Sequence, residues 1–345
     1  MPASTFAAYS GEIVARFSHV WWLYALSFIS TAVGALLCYV QLRPHRLRSF
    51  RDLAGFVFPK RVLLHRSVRL DLWFLLVRRL TSPWIVAPFL LSSAAAAHWI
   101  AIQLTLLFGP PAPMTPSLAA AIGLTLLVLV ASDFAIFISH FLQHRIPVLW
   151  EFHKVHHAAP VLIPATVLRI HPIDEIGRGL CISLCNAAVG SVFLYFYPAG
   201  VEEVAVVGLD AYFVLDLLIF NQLRHSHLPL RFGGLLESVF ISPALHQLHH
   251  SVDPRHHGKN YGFTFAIWDR LLGTLVRPDN DTVYELGLSD GEHLAYDSVW
   301  AFYTLPFVRL CRRAALALRG RPAASAGPVD RLQERPSNPA VLQRF

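Results

Sequence analysis

The sequence is poor in charged residues for its length. Only 15% of its 345 residues are charged, whereas 54% are hydrophobic. A soluble domain normally carries about a quarter charged residues. This balance argues against two soluble domains and indicates a membrane protein, in which the bilayer covers the apolar surface.

Cysteine is also scarce. The four cysteines, at positions 38, 181, 185 and 311, show no pairing pattern, so a disulfide scaffold is not expected. The chain has no fingerprint for flavin or nicotinamide, no cytochrome-type haem motif and no internal repeat. Its first apolar run lacks the small-residue cleavage site of a signal peptide, so none is expected.

The basic residues are concentrated in segments beside the apolar runs, which indicates a membrane-topology signal and not a nucleic-acid module. The net charge is +7, and residues 43–80 alone contain ten Lys or Arg and two Asp or Glu. By the positive-inside rule this segment is predicted to be cytoplasmic. The connections 109–116 and 198–203 carry no positive charge and are predicted to lie on the opposite side. No nucleic-acid partner is expected.

Five apolar stretches are candidates for membrane spans, namely residues 20–42, 83–108, 117–139, 179–197 and 204–222. Pro83 and Pro88 leave two interpretations of 83–108 open, one bent span or a hairpin that dips in and returns. We predict an all-α integral membrane protein, a bundle of about four to six transmembrane helices with a cytoplasmic histidine-rich helical cap.

The chain divides by composition into four regions. Residues 1–125 form an N-terminal membrane region that includes the basic segment 43–80, and residues 126–295 form the histidine-rich domain. Residues 296–318 predict either a helix lying on the membrane surface or a capping helix. Residues 319–345 are expected to be disordered.

Thirteen of the 18 histidines fall between residues 140 and 257, in dense groups at helical spacing. Spacings of three and four residues place side chains on one face of a helix. The grouped histidines are His140 and His144, then His153, His156 and His157, then His246, His249 and His250. So many imidazoles with no thiolate nearby suit two nitrogen-ligated ions better than one zinc.

Iron is our choice of metal, because a redox-active pair beside the lipid phase can activate O2 against an unreactive C–H bond. Ligand type alone would also allow zinc, copper or manganese. Asn221 and His225 repeat the four-residue spacing at the inner end of the last predicted span. Asp133, two helical turns before His140, is expected to accept the N–H of a ligand imidazole, the alternative being a helix-packing hydrogen bond.

The stretches DFAIFISHFLQHRIPVLWEFHKVHH, TVLRIHPID and HQLHHSVDPRHHGKNYGFTFAIWDRLLGT resemble the fatty acid hydroxylase and sterol desaturase superfamily. Its signature is HxxxH, HxxHH and a final HxxHH, in that order, and the resemblance covers about residues 130–278. One departure is Phe141, where many relatives carry an arginine. Here the arginine is displaced to Arg145, after His144.

The resemblance implies a non-haem di-iron membrane enzyme that hydroxylates or desaturates a lipid with O2 and externally supplied electrons. The eight grouped histidines would be metal ligands, and His225 would be a ninth. Asn221 would bind metal directly or through water. His171, in RIHP, is either a ligand or a residue that orients the loop, and His227 stands where relatives often carry asparagine.

Three functions are therefore weighed. The first is O2-dependent oxidation of a fatty acyl, sterol or other lipid, with electrons from a separate ferredoxin- or cytochrome-type donor that docks on the basic cytoplasmic face. The second is a membrane hydrolase in which zinc activates water, although no HExxH glutamate accompanies the histidines. The third is a metal transporter, whose ligands should lie near the bilayer midplane instead of at one surface.

Overall fold

The structure is a computed structural model that describes residues 3–43, 49–90, 92–112, 114–204, 210–279 and 284–319. Side chains are described from residue 22 onward, except at position 290. The predicted tail, apart from Arg319, lies outside the described residues. Within the described part the chain is helical, and two isolated β-bridges, Phe240 with Phe265 and Ser251 with Leu286, replace strands.

The α-helices are α1 Ala3–Leu42, α2 Phe50–Val57, α3 Lys60–Leu63, α4 Arg66–Ile85, α5 Ser93–Phe108, α6 Leu118–Arg145, α7 Pro147–His157, α8 Pro172–Phe196, α9 Ala211–Leu218, α10 Pro243–His249, α11 Ile267–Leu272 and α12 Val299–Leu318. Serine caps begin many of them. For example, the Ser117 side chain accepts the backbone N–H of Ala120 at the start of α6. Such a cap satisfies a backbone donor that has no partner inside the helix.

Four helical segments are long and apolar enough to cross a bilayer, in agreement with the predicted all-α membrane fold. They are Trp22–Leu42, Ala87–Phe108, Leu118–Arg145 and Pro172–Phe196, with mean hydropathies between 1.5 and 2.4. Large apolar side chains such as Leu107 and Leu126 are exposed on them, as expected of surfaces that face lipid.

The stretch predicted at 204–222 does not form a spanning helix in the described residues. Its helix, α9, begins after the Asp210 cap and has eight residues, about 12 Å. Phe220 then takes a left-handed conformation, with φ 52°, which stops the helix before Asn221. Residues 205–209 lie outside the described part.

Small residues allow the spanning helices to approach closely. Helix α8 packs against both α5 and α6. A Cβ placed on Gly190 of α8 would lie 3.3 Å from the Cβ of Ala97 on α5, and Ala187 is fully buried in the same interface. Glycine and alanine in such interfaces give the van der Waals contact that holds membrane helices together.

The residues predicted to form a cap pack as a layer against the end of α6, where Tyr261 contacts His140. Helix α6 ends at Arg145, the chain turns at Ile146 in an extended conformation, and Pro147 starts α7. Helix α12 packs against α7 and α4, with Phe302 and Pro306 buried. The layer therefore gathers at the end of α6 where His140 and His144 lie.

Candidate metal centre

The structure brings nine histidines from four parts of the chain into two adjacent groups. Within each group, one nitrogen from every imidazole lies within 4.8 Å of all the others. Group one is His140, His144, His153, His157 and His249. Group two is His156, His225, His246 and His250.

Local helix geometry explains how each group is assembled. The four-residue spacing places His140 and His144 on one face at the end of α6, with their Nε2 atoms 3.2 Å apart. On α7, His153 and His157 turn toward group one, while His156 turns toward group two. Helix α10 divides its histidines in the same way, since His249 joins group one and His246 joins group two.

Group two has the spacing of a metal site. The Nε2 of His225 lies 3.1 Å from that of His156 and 3.0 Å from that of His246, and the Nε2 of His250 lies 3.2 Å from that of His246. Two nitrogens bound to one ion at about 2.0–2.1 Å, at tetrahedral or octahedral angles, are themselves about 2.8–3.4 Å apart. The four imidazoles therefore fit around one ion.

Group one is held by hydrogen bonds on the outer side of its imidazoles. The Nδ1 atoms of His140, His249 and His153 lie 2.8 Å from the Tyr261 carbonyl, 2.7 Å from the Lys259 carbonyl and 2.8 Å from Asp174 Oδ2, respectively. An N–H donated outward fixes the tautomer that leaves Nε2 free for a metal. The Nε2 atoms of His153 and His249 are buried and have no partner among the described residues.

The two groups are in direct contact. The rings of His157 and His250, one from each group, stack with their centroids 4.4 Å apart. The two groups thus form one continuous cluster of imidazoles.

Burial favours the neutral form, the form that binds metal, of grouped imidazoles outside the spanning helices. It lowers the pKa of His249 to about 3, and it lowers the pKa values of His156, His157 and His246 well below 6.5. The neighbouring imidazoles lower them further, because two protonated rings would repel each other.

Two of the other proposed ligands, His171 and His227, lie outside both groups. The Nε2 of His171 faces the Tyr303 carbonyl at 3.2 Å, while its Nδ1 accepts the Ile173 N–H at the start of α8. His227 faces the Phe56 carbonyl at 2.9 Å. Asn221 hydrogen-bonds to Asp216. In this structure the polar atoms of His171 and His227 are thus used for packing.

The expected contact between Asp133 and a ligand imidazole is wrong. Asp133 accepts the backbone N–H of Thr264 at 2.8 Å, the Trp268 Nε1–H at 2.7 Å and the Tyr212 hydroxyl at 3.3 Å. Two helical turns place Asp133 on the face of His140, but about 10 Å deeper along α6, where the segment after Gly262 fills the space. Its role is to hold that segment against α6.

Two residues of the site escaped the sequence analysis. Asp174, which contacts His153, lies in the quoted motif RIHPID. The motif was therefore a signal for Asp174, but its partner His153 is 21 residues away in the sequence. Tyr261 is fully buried, and its ring lies edge-on to His140 with centroids 5.9 Å apart. Asp269 fixes the turn at Tyr261 by accepting its backbone N–H at 2.9 Å.

Comparison with known proteins shows that these residues lie in a segment similar to a described family. The profile of the fatty acid hydroxylase family matches residues 125–274. This range contains all nine grouped histidines, together with Asp174 and Tyr261.

The curated relatives act on lipids according to their names. The ornithine lipid hydroxylase OlsE of Rhizobium tropici is 30% identical over 161 residues, which are 47% of this chain and 44% of that protein. Alkylglycerol monooxygenase of Caenorhabditis elegans is 27% identical over 201 residues, 58% of this chain and 36% of its own. The sterol 5(6)-desaturase erg3B of Aspergillus fumigatus is 25% identical over 155 residues, 45% of this chain and 40% of its own.

The matched segments therefore cover less than half of the length of these three relatives. No solved structure matches the chain.

Proposed function

We propose that the chain is a member of the fatty acid hydroxylase family, whose profile matches residues 125–274, and that it oxidises a C–H bond of a membrane lipid with O2 at a di-iron centre. The observation that supports this most directly is the pair of all-histidine groups, one of five and one of four imidazoles, of which all but the half-buried His140 are buried. Two iron ions, when bound there, would supply the activation of O2. Hydroxylation and desaturation both fit this centre.

The protein's own residues would hold and orient the ions. The nine grouped histidines would each offer one nitrogen, and Asp174 would keep the His153 imidazole in the correct tautomer. Burial by the surrounding layer excludes water and keeps reactive species from side reactions. The lipid would reach the site from the bilayer, since His140 and His144 lie at the end of a spanning helix.

The position of Glu151 disfavours the hydrolase alternative. Glu151 is 0% exposed and lies within an ion-pair cluster, 3.0 Å from Lys154 Nζ and 2.7 Å from Arg313 Nη2. A glutamate bound to two cations is not placed to activate water beside a zinc ion. The transporter alternative is disfavoured by the collection of ligands at one end of the bundle.

We further propose that the centre faces the cytoplasm and receives electrons from a separate ferredoxin- or cytochrome-type protein. The positive-inside rule supports this orientation, because residues 43–80 and the histidine groups are predicted on one side. A basic cytoplasmic face would attract an acidic donor.

The experiment combines metal analysis with lipid oxidation. Purified full-length protein should contain about two irons per chain and should consume O2 with a lipid extract and a reductase. Mass spectrometry of host lipids, with and without the protein, should reveal a lipid that has gained oxygen or lost two hydrogens. Bound zinc together with oxygen-independent lipid cleavage would instead support the hydrolase.

Variants should distinguish the effect of a histidine in the two groups from that of a histidine outside them. The substitutions His140→Ala and His249→Ala should abolish turnover and lower the metal content, because each removes a group-one nitrogen. The matched control is His227→Asn, which changes a half-buried histidine outside both groups and should keep about two metals per chain. Full turnover in His140→Ala and His249→Ala would rule out this centre as the active site.

A further inference from the structure

Helix α4 exposes an apolar stripe although it is not one of the four candidate spans. Leu72, Leu76, Leu80 and Trp84 recur every four residues, so they lie along one side of the helix, and each is at least 50% exposed. The helix also contains four arginines and Asp71, more charge than a helix surrounded by hydrocarbon normally carries. Exposed apolar surface of this extent marks a contact with a partner.

The contacts of α4 place it near the end of α8 that lies beside the histidine groups. Thr166, in the connection before α8, donates its hydroxyl to Asp71 at 2.7 Å, and Arg78 donates to Glu175, in the first turn of α8, at 3.1 Å. Asp71 and Arg78 are about 10 Å apart along α4, yet both of their partners lie at or before the first turn of α8. Helix α4 therefore lies beyond this end of α8 and not beside its spanning part.

The apolar stripe of α4 joins the surface that faces lipid. Trp84 and Phe89 are exposed, and the candidate span Ala87–Phe108 starts between them. Exposed apolar side chains such as Trp99 continue this surface along the span. Tryptophan is typical of the interface between membrane and water. The bilayer that covers the span therefore reaches the end of α4.

Helix α12 exposes a second apolar face next to α4. Phe302 is buried against Phe74 of α4, with ring centroids 5.3 Å apart. Trp300, Val308 and Leu318 lie on the opposite side of α12 and are exposed. The two helices thus pack together and each leaves an apolar face open.

Arginines border both apolar faces. Arg69 and Arg79 of α4 and Arg312 of α12 are exposed, and none of them forms an ion pair with another described residue. Each lies three or four residues from an exposed apolar side chain of its own helix, hence on the same side. A long arginine side chain in such a place reaches the phosphate level while its apolar neighbours stay in hydrocarbon.

We propose that α4 and α12 lie in the headgroup region of the leaflet nearest the histidine groups, with their apolar faces in lipid and Arg69, Arg79 and Arg312 at anionic phosphates. The partner is the bilayer surface, because the arginines are interspersed with leucine and tryptophan on a surface continuous with a span. The two interpretations of residues 296–318 then apply to opposite faces of α12, one against the protein and one against the membrane. The proposal does not depend on the oxidation chemistry.

The first test measures the depth of nitroxide labels on the full-length protein in nanodiscs that contain phosphatidylglycerol. One label is placed at Leu76→Cys and one at the native Cys311, which is exposed on α12, each with the other cysteines replaced. Both labels should collide with O2 and not with a water-soluble nickel chelate, at a depth of about 5–10 Å. The matched control is Arg255→Cys, in an exposed loop, whose label should collide with the nickel chelate.

Labels at Leu76→Cys and Cys311 that are as accessible to nickel as the control would overturn the inference and indicate a face for a soluble partner. A Leu76→Cys label at the bilayer midplane would also overturn it, since α4 would then span. If the protein without its other cysteines does not fold, a label on Cys311 of the wild-type protein decides by the same criterion.

The second test measures the lipids bound to the purified protein by mass spectrometry. The wild-type protein should enrich phosphatidylglycerol over phosphatidylcholine. The double variant Arg69→Gln and Arg79→Gln should lower this enrichment by at least about fivefold, the effect of one arginine at an anionic surface. Arg270→Gln, at an exposed arginine of α11, is the matched control and should keep it. An unchanged enrichment in the double variant would overturn the assignment of the arginines to anionic phosphates.

Discussion

At the scale of single residues, the site depends on carboxylates that are alike in burial but differ in their contacts. Asp174 is 5% exposed and bonds a group-one imidazole, whereas Asp133 is 0% exposed and bonds only groups outside the two histidine groups. A carboxylate behind a ligand imidazole raises its basicity and fixes its ring. The two residues should therefore respond differently to the same substitution.

Asp174→Asn should weaken metal binding by about 10- to 100-fold, because the amide is a poorer acceptor for the His153 N–H. Competition with a chromophoric chelator would measure the change. The matched control is Asp133→Asn, which should leave metal affinity within about threefold of the wild type. Equal losses in the two variants would contradict the assignment of Asp174.

The cost of Asp133→Asn should appear in stability instead. Asp133 accepts hydrogen bonds from three residues of the 264–268 segment, and an amide cannot accept them all. We expect the free energy of unfolding to fall by about 2–3 kcal/mol, measured by denaturant titration in detergent. An unfolding midpoint equal to that of the wild type would show that Asp133 does not hold this segment.

At the scale of elements, α12 supports the histidine-bearing helix α7 from behind. Arg313 and Arg309 of α12 reach Glu151 of α7 at 2.7 and 3.8 Å, and Glu292 joins the cluster through Lys154 at 2.9 Å. Lys154 stands inside the HKVHH motif but points away from the histidines. The helix periodicity thus separates the side of α7 that carries the grouped histidines from the side that forms the ion pairs.

Arg313→Ala should destabilise this arrangement, because it leaves Glu151 buried with less compensating charge. We expect a loss of about 3 kcal/mol in unfolding free energy and earlier loss of metal on heating. Arg312→Ala is the neighbouring control. Arg312 is exposed, so its removal should cost less than about 0.5 kcal/mol. Equal thermal unfolding curves for the two variants would argue against support of α7 by α12.

At the scale of the whole molecule, buried imidazoles with lowered pKa values, such as those of His156, His246 and His249, make stability depend on pH. An unfolded histidine has a pKa near 6.5, whereas burial lowers the folded pKa of His249 to about 3. Below pH 6.5 the unfolded chain therefore binds more protons than the folded one, so stability falls as the pH falls toward 3. Above pH 6.5 these histidines contribute no pH dependence.

The metal-free protein should accordingly unfold at lower denaturant concentration at pH 5 than at pH 7.5. Between pH 7.5 and 8.5 its unfolding midpoint should stay constant. Metal should also be released on acidification, because protons compete for the same nitrogens. Stability that rises from pH 7.5 to 5 would contradict neutral burial of these groups.

The proposed orientation can be tested across the whole membrane. In a variant without its native cysteines, Met114→Cys reports on the turn between α5 and α6, and Arg255→Cys reports on the exposed loop near the histidines. A membrane-impermeant maleimide should label position 114 in intact cells and position 255 only after permeabilisation. The reverse pattern would place the histidine groups on the outer side.

The helical membrane fold and the histidines of the three motifs were predictable from the sequence, because both depend on local order. The length of an apolar run indicates whether it can span a bilayer. Spacings of three and four residues indicate a shared helix face, as for His140 and His144. The four spanning segments and the convergence of the grouped histidines follow those patterns. The same reasoning predicted a span at 204–222 that the described residues do not form, because hydrophobicity alone does not indicate that the chain leaves the helical conformation at Phe220.

Only the tertiary structure decided which distant residues meet. The division of nine histidines into groups of five and four, the bond from Asp174 to His153 and the use of Asp133 against the 264–268 segment all involve different parts of the chain. Periodicity describes the face on which a side chain lies, but not what lies opposite that face. The partner is set by the packing of whole helices, in which many weak contacts are satisfied together.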